Sequence, residues 1–265
     1  LKVTSSGHHW DNPTNCAEFC QKEHSLKVNG ETLYSWQILQ DCSSNPLYPQ
    51  GGTWIYDRAG WCPGAMVSIQ DLELSPFVSP GEPIALDYDS ETDPYGYYRV
   101  ECYLISYGEA NYQRDASIEA IVAPNNKKYY TRMNPMCGRP VVQIKNNGSE
   151  TLSTLTIVYG PEGGKNKEFQ WTGNLGFLET KEITLDAIDW SDWDGSSHNF
   201  IVEIKNPNGM DDENASNDRA VSSFDSTPGI TSPFVLHLKT NHAPWETSWR
   251  LLDHEGNVLM LENDF

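Results

Sequence analysis

The chain has 265 residues, with 18 Lys and Arg against 37 Asp and Glu, so its formal net charge is −19. Such an acidic surface repels phosphate groups, which argues against nucleic acid and anionic membranes as partners, and no apolar run reaches the roughly 18 residues of a spanning helix. Six cysteines without a C-x-x-C pair favour disulfides over a zinc site, so the sequence predicts a protein of an oxidising compartment: secreted, extracellular, at the cell surface or in the periplasm.

The first segment, about residues 1–125, reads as strands joined by turns and irregular loops. A strand opens the chain, and Asn29-Gly30 is a type I′ hairpin signal between two alternating stretches in residues 24–39. Further strands are predicted at residues 65–74, 83–90, 97–107 and 116–124. Long strands with irregular loops favour an antiparallel jelly roll, which we expect to be incomplete at its start.

The second segment, about residues 126–228, has turns near the roughly 8- to 12-residue spacing of a β-sandwich, so we expect an immunoglobulin-like module. Residues 225–232 have the composition of a linker. Residues 229–265 offer a few short strands, too few to close a core, and these are expected to begin a further β module. The predicted fold class is therefore all-β: a jelly roll, then a sandwich, then the beginning of a third module.

A cysteine-bracketed carboxylate stands in the run CAEFC, residues 16–20. A bond between Cys16 and Cys20 would close a tight loop and would contribute less than the roughly 3 kcal/mol of chain entropy expected for a loop near 15 residues. Its value would be geometric, because it would hold Glu18 at the tip of a rigid turn beside Phe19.

A second candidate loop is the run TWIYDRAGWCPG, residues 53–64. A bond between Cys42 and Cys62 would tie this run to the end of the preceding hairpin and would hold Arg58 and Trp61 on one rigid loop. An arginine beside indoles is a common way to hold a sugar, because the guanidinium donates to hydroxyls or a carbonyl while the rings offer flat apolar faces.

Two structural explanations compete with this sugar site. Arg58 could instead form an ion pair with Asp57 or Glu18, and Trp54 and Trp61 could be core residues. The residue types by themselves leave these alternatives open.

Three runs in order, SGHHWDNPTNCAEFCQKEHSLKVNG, DCSSNP and GTWIYDRAGWCPGAMV, resemble the carboxy-terminal jelly roll of the peptide-N-glycosidase F family over about residues 1–125. The resemblance implies hydrolysis of the amide between asparagine and the innermost N-acetylglucosamine of N-linked glycans. The products would be aspartate and a glycosylamine, the substrate would be an N-glycoprotein or glycopeptide, and no metal or other cofactor would be needed.

The resemblance also assigns roles to individual residues. Glu18 matches the family's active-site glutamate, and Arg58 matches the arginine that binds at the junction of sugar and amide. Amide hydrolysis needs a base for water and a donor for the developing oxyanion, and a carboxylate and an arginine can supply them. His8 and Trp61 match residues that line the same cleft, whereas Phe19 stands where the family has a tryptophan. The candidate substrate-binding residues are His8, Phe19, Trp54 and Trp61.

The family's cysteine pairing implies the disulfides Cys16–Cys20 and Cys42–Cys62. Its principal catalytic aspartate lies on a separate amino-terminal jelly roll that this chain does not contain. We therefore expect a longer precursor or a companion chain to supply that jelly roll and its aspartate.

Two cysteines fall outside this pairing. Cys102 alternates with Val100 and Leu104 on a strand face that is expected to be buried, and Cys137 lies in a loop at the start of the second segment. A bond between Cys102 and Cys137 would clamp the two modules together, but two separate thiols fit the sequence equally well.

Three further alternatives remain. The acidic loop at residues 206–218 has oxygen ligands that could bind calcium, but it lacks the EF-hand spacing, and a solvated turn is more common. The chain could be a non-catalytic carbohydrate- or partner-binding surface protein that reuses the jelly roll. The pair His8-His9 suggests a copper oxygenase built from paired jelly rolls, but no further paired histidines stand at ligand spacing.

Overall fold

The computed structural model describes the whole chain except residues 11–15, 48–53, 80, 92–94, 135–137, 191–192, 227–232, 234, 241, 254–255 and 263–265. It divides into two compact units, Leu1–Gly108 and Glu109–Phe265. In the described ranges every strand pair is antiparallel, no sheet closes into a barrel and no helix is long and apolar enough to cross a membrane. The predicted all-β fold class is confirmed.

The strands described in the first unit form three antiparallel sheets. In chain order the strands are β1 (Lys2–His8), β2 (Glu23–Val28), β3 (Glu31–Gln37), β4 (Leu39–Gln40), β5 (Arg58–Ala59), β6 (Ile69–Asp71), β7 (Leu86–Ser90) and β8 (Tyr97–Tyr103), with a 3-10 turn at Ser75–Phe77. The sheets have the strand orders β6-β1-β8, β3-β2-β7 and β4-β5. The core of this unit is a small apolar cluster that contains Val3, Leu26, Val28, Leu72 and Leu74.

The hairpin between β2 and β3 turns at Asn29 and Gly30, as the sequence predicts. Both residues have positive φ, 52° and 90°, which a type I′ turn requires and which Asn and Gly adopt at low cost. Asn29 also bonds to Ala85, donating its N–H to the carbonyl (2.8 Å) and accepting the N–H at Oδ1 (3.0 Å). The turn therefore helps to set the pairing of β2 with both β3 and β7.

The expectation that Val100, Cys102 and Leu104 form a buried face is wrong for Cys102 and Leu104, although Val100 is partly buried against the apolar cluster. Cys102 is exposed and Leu104 is 65% exposed, because β8 is the edge strand of its sheet and no described strand covers its outer side. Cys137 lies outside the described residues, so a bond between these two cysteines stays a prediction.

The strands described in the second unit also form three antiparallel sheets. They are β9 (Ala116–Ala123), β10 (Val141–Asn146), β11 (Leu152–Pro161), β12 (Lys167–Leu175), β13 (Thr180–Thr184), β14 (Asn199–Lys205), β15 (Arg219–Ser223), β16 (Trp249–Leu252) and β17 (Val258–Glu262), with 3-10 turns at Lys128–Met133, Pro207–Gly209 and Pro244–Glu246. The orders are β13-β10-β9, β12-β11-β14-β15 and β16-β17.

The first two of these sheets share one core. Val142 and Ile144 of β10 lie in the same buried cluster as Ile157 of β11 and Val202 of β14, so the sheets pack face to face as a sandwich. The strand β9, which the sequence places near the end of the first segment, pairs with β10. Its buried Ile121 joins this second core, which explains why β9 lies in the second unit.

The acidic loop at residues 206–218 forms hydrogen bonds with the start of β9 and with Asp115, the residue before it. Asp212 Oδ2 accepts the backbone N–H of the first β9 residue at 2.8 Å. Buried Asp115 accepts the side-chain amides of Asn214 (3.1 Å) and Asn217 (2.8 Å). Within the described part of the chain, no group of three or more His, Cys, Asp or Glu side chains is arranged to hold a metal ion. The loop therefore acts as a polar clamp on the start of the sandwich.

Asp218→Asn is expected to stabilise the second unit at neutral and higher pH. Burial, followed by the carboxylates of Asp212 and Asp115, raises the pKa of Asp218 to about 7. The Asp218 charge therefore lowers the free energy of unfolding. This loss is absent below the ordinary pKa of 3.8, grows as the pH rises, and reaches its full size above pH 7. Because the side chain is partly exposed, we expect a gain of roughly 1 kcal/mol. Urea unfolding at acid and alkaline pH, followed by NMR signals of β14 and β15, measures it.

The matched control is Asp211→Asn, since Asp211 is exposed in the same loop. When the pH rises, Asp211→Asn should lose as much stability as the unaltered chain. The prediction would be contradicted if Asp218→Asn also lost that much.

Candidate active site

Both disulfides implied by the family resemblance are present in the first unit. Cys16 bonds to Cys20, and Cys42 bonds to Cys62, with a Cα–Cα distance of 5.4 Å in each case. The Glu18 carbonyl accepts the N–H of the β5 residue Ala59 at 2.8 Å, and this bond joins the first disulfide loop to the second.

Two glycines allow these loops to lie directly against β1. A Cβ on Gly7 would lie 2.0 Å from the Ala17 carbonyl oxygen, and a Cβ on Gly60 would lie 1.9 Å from the Ser5 carbonyl oxygen. Gly60 also has a φ of +77°, which glycine adopts without strain. Larger residues at these positions would push the loops away from the strand.

Glu18 is held by its backbone on both sides. Its N–H donates to the His9 carbonyl at 3.2 Å, and its own carbonyl is bonded to β5 as described above. The following two N–H groups, of Phe19 and Cys20, both donate to the Cys16 carbonyl at 2.9 Å. The carboxylate thus stands on a closed turn, with its side chain 21% exposed.

Arg58 is 4% exposed and contacts both loops. Its Nε donates to Glu18 Oε1 at 3.2 Å, and its Nη1 donates to the Tyr56 carbonyl at 2.9 Å. The guanidinium carbon lies 5.1 Å from the ring centroid of Phe19 and 5.1 Å from that of Trp61. The ion pair with Glu18 is therefore present, and it coexists with contacts to two aromatic rings.

A row of stacked rings continues from Trp61 across the end of the sheet, from β1 to β8. The Trp61 indole N–H donates to the Gly7 carbonyl at 3.0 Å. His8 stacks on Trp61 at a centroid distance of 5.5 Å and on Tyr97 at 5.3 Å, with interplanar angles of 29° and 27°. We call Phe19, Arg58, Trp61, His8 and Tyr97 the aromatic row.

The structure brings together five of the six predicted site residues: His8, Glu18, Phe19, Arg58 and Trp61. Trp54 is half-buried in the turn that leads to β5. Asp57, the other proposed ion-pair partner, accepts the backbone N–H of Cys42 at 3.3 Å, so it helps to anchor the loop.

The sequence reasoning missed two exposed aromatic residues of this region. Tyr97 is 61% exposed and pairs with His8 in the register of β8 with β1. Trp10 is 52% exposed and follows His9, whose carbonyl accepts the Glu18 N–H. Trp10 is visible next to the quoted motif, whereas Tyr97 can be found only when the pairing of β1 with β8 is known.

This arrangement suits chemistry at a polarised carbonyl. A cation held by an ion pair, a backbone carbonyl and two rings is already oriented, so it can stabilise developing negative charge without reorganising. The adjacent carboxylate can accept a hydrogen bond from water or from an amide. The exposed ring of Tyr97 at the end of the row offers a flat surface to a ligand with an apolar face.

Residues 1–105 match a family model described as "Peptide-N-glycosidase F, C terminal". The curated "Peptide-N(4)-(N-acetyl-beta-D-glucosaminyl)asparagine amidase F" of Elizabethkingia miricola is 43% identical over 54 residues, which are 20% of this chain and 15% of that protein. Two solved structures are described as "Recombinant peptide: N-glycanase F (PNGase F)" and "The three-dimensional structure of PNGase F, a glycosylasparaginase from Flavobacterium meningosepticum". They are 28% and 29% identical and align over 37% of this chain and 36% of their own, with TM-scores of 0.33.

The aligned part of this chain thus spans 15% of the curated relative and 36% of the solved structures. The family match ends at residue 105 and the first compact unit ends at Gly108, and the Glu18–Arg58 site lies inside both. Residues 1–105 are therefore similar to the carboxy-terminal domain of peptide-N-glycosidase F.

Proposed function

We propose that residues 1–105 form one wall of the active site of a peptide-N-glycosidase, which hydrolyses the amide between asparagine and the innermost N-acetylglucosamine of N-linked glycans. The single observation that carries the proposal is the position of the Arg58 guanidinium carbon, 5.1 Å from the ring centroids of both Phe19 and Trp61. The ion pair with Glu18 (Nε to Oε1, 3.2 Å) was the competing structural explanation, and it does not by itself account for these ring contacts. Glu18 and Arg58 are the residues to which the family resemblance assigns catalysis. The substrate is an N-glycoprotein or glycopeptide.

In this proposal Arg58 binds the oxygen on which negative charge develops when water attacks the amide carbon. Glu18 orients the water or the amide by hydrogen bonding. The amide C–N bond then breaks, the asparagine side chain leaves as aspartate, and the nitrogen takes up a proton and leaves as the glycosylamine. His8, Phe19, Trp54 and Trp61 are proposed to line the sugar-binding part of the cleft.

The principal catalytic aspartate is proposed to come from a preceding jelly roll, in the same precursor or in a companion chain. The protein is also proposed to be secreted, at the cell surface or in the periplasm, because disulfides form and persist in oxidising compartments and are rare in the cytoplasm. No metal or other cofactor takes part in the proposed reaction.

Glu18→Gln in the full precursor is expected to slow glycan release by about 10²-fold, because the amide keeps the shape of the side chain but loses the charge. The measurement is the Asn-to-Asp mass change of an N-glycopeptide incubated with the protein. Glu101→Gln is the matched control, since Glu101 also pairs with an arginine (Arg99, 2.8 Å) but has a side chain that is 43% exposed.

Three outcomes of this assay distinguish an amidase from a carbohydrate-binding protein and test the role of Glu18. Release that depends on Glu18 supports the amidase. Saturable glycan binding without release by the full precursor supports the non-catalytic carbohydrate-binding alternative. Unchanged turnover in both glutamate variants would refute the site assignment.

The double variant Cys16→Ser/Cys20→Ser is expected to lower glycan release about tenfold while costing about 2 kcal/mol of stability, less than the roughly 3 kcal/mol expected when the Cys42–Cys62 bond is removed. A bond across a sequence separation of 4 closes a loop too short to contribute the roughly 3 kcal/mol expected near 15 residues, but it fixes the turn that carries Glu18. Release kinetics and urea unfolding of the same preparation measure the two effects. A loss of stability as large as that of a Cys42→Ser/Cys62→Ser variant would contradict this prediction.

A further inference from the structure

We infer that Tyr97 provides a second sugar-stacking surface at the end of the aromatic row, so that the site takes an oligosaccharide that extends past Trp61 and His8. This inference rests on the proposed function, because it assumes that a sugar is held at Arg58. Tyr97 is then a substrate-positioning residue that sets the preferred length of the glycan.

The first support is the position of Tyr97 on the sheet. It is the first residue of β8 and pairs with His8, the last residue of β1. Its ring stacks on His8 at 5.3 Å, and yet 61% of the residue is exposed. A large aromatic ring with this exposure offers a flat face to a ligand, and a sugar has an apolar face of matching shape.

The second support is that the ring is already oriented. The His8 ring stacks on both Tyr97 and Trp61, and its Nε2 forms a hydrogen bond with the Ser6 hydroxyl at 2.8 Å. Trp61 is in turn fixed by its indole N–H on the Gly7 carbonyl. A ligand that stacks on Tyr97 therefore orders little that was not ordered before, which favours affinity.

The third support is the balance of charge among the described residues that share a face of β8 with Tyr97. Alternate residues of a strand share one face, so Arg99, Glu101 and Tyr103 follow Tyr97 on the same face of β8. Arg99 and Glu101 neutralise each other through a 2.8 Å ion pair. In a chain with a net charge of −19, this local balance suits an uncharged glycan better than an ionic ligand.

Binding of three probes to the 265-residue chain tests the inference: methyl N-acetylglucosaminide, chitobiose and chitotriose, each titrated by calorimetry. We expect Tyr97→Ala to weaken chitotriose binding five- to tenfold, which is roughly the value of one aromatic contact. Binding of the single sugar should be unchanged, which also shows that the variant is folded. Tyr97→Phe should bind chitotriose as the unaltered chain does, because the stacking face remains.

Tyr103→Ala is the matched control. Tyr103 is 58% exposed on the same strand, six residues away, or roughly 20 Å along an extended chain, and its loss should not alter binding of any probe. If the unaltered chain binds chitotriose and an Arg58→Lys variant binds it less, but Tyr97→Ala binds it normally, the second surface is refuted while the proposed site stands. If the unaltered chain binds none of the three probes, this inference fails, whereas the proposed function is tested separately by glycan release from the full precursor.

Discussion

Arg58→Ala is expected to lower glycan release by the full precursor by about 10²- to 10³-fold, the range found when one oriented donor to a developing oxyanion is removed. The side chain is almost fully buried and makes a bond to Glu18, a bond to a backbone carbonyl and two ring contacts. Water that replaces it cannot hold a fixed positive charge. The Asn-to-Asp mass change of an N-glycopeptide measures the loss.

The same substitution should also destabilise the first unit by roughly 3 kcal/mol, at the low end for a broken buried ion pair, because the Glu18 side chain is 21% exposed and can be partly hydrated. Urea unfolding followed by NMR signals of β1 measures this cost. Arg99→Ala is the control: Arg99 also pairs with a glutamate, but its side chain is 73% exposed, so the change should stay below about 1 kcal/mol.

Arg58→Lys separates stability from activity. Lysine keeps the charge but has no planar group to lie over two rings, and its single ammonium cannot reproduce the geometry of both hydrogen bonds. We expect this variant to recover most of the stability and little of the activity. Full activity of the lysine variant would show that charge alone is required at this position.

Acidification is expected to weaken the first unit through His24. His24 is 0% exposed, its Nδ1 bonds to the Tyr88 hydroxyl, and its Nε2 is buried without a hydrogen-bond partner in the described residues. Burial lowers the pKa of His24 from 6.5 to about 4, although Glu91 raises it in part. The folded state disfavours protonation of His24. The free energy of unfolding therefore has its full value above pH 6.5 and falls by roughly 3 kcal/mol as the pH approaches 4.

His24→Phe should abolish most of this fall, because phenylalanine cannot titrate and can keep the edge contact with Tyr98 (4.6 Å between centroids). Urea titrations at pH 7 and pH 4.5, followed by NMR signals of β2, give the difference. His198→Phe is the control, since His198 is exposed in the second unit and should not affect β2. The prediction fails if His24→Phe and the unaltered chain lose the same stability on acidification.

Features set by a few adjacent residues could be predicted from the sequence. Asn29-Gly30 defines its turn through local backbone preference, and the two disulfide loops follow from the family motifs. The ion pair of Arg58 with Glu18 was named at the outset as a structural alternative to the sugar site, and it is present. This contact could be anticipated without knowledge of the sheets, because both residues lie on short loops closed by disulfides.

Features set by pairing between distant strands could not be predicted. Tyr97 joins the row only because β8 pairs with β1 in a register that sets it opposite His8. The exposure of Cys102 depends on β8 being an edge strand, which its own alternation does not reveal. In the same way, β9 has the pattern of any half-buried strand, and only its partner β10 assigns it to the second unit.

The position of β9 has a consequence for how such chains arise. The match to the family ends at residue 105 and the first compact unit ends at Gly108, while every strand ladder among the described residues lies wholly on one side of that point. A recombination event near residue 108 would leave each hydrogen-bonded ladder intact. The first unit can thus be inherited, duplicated or fused to other sandwiches as a block, whereas an exchange near residue 125 would remove a strand from its sheet.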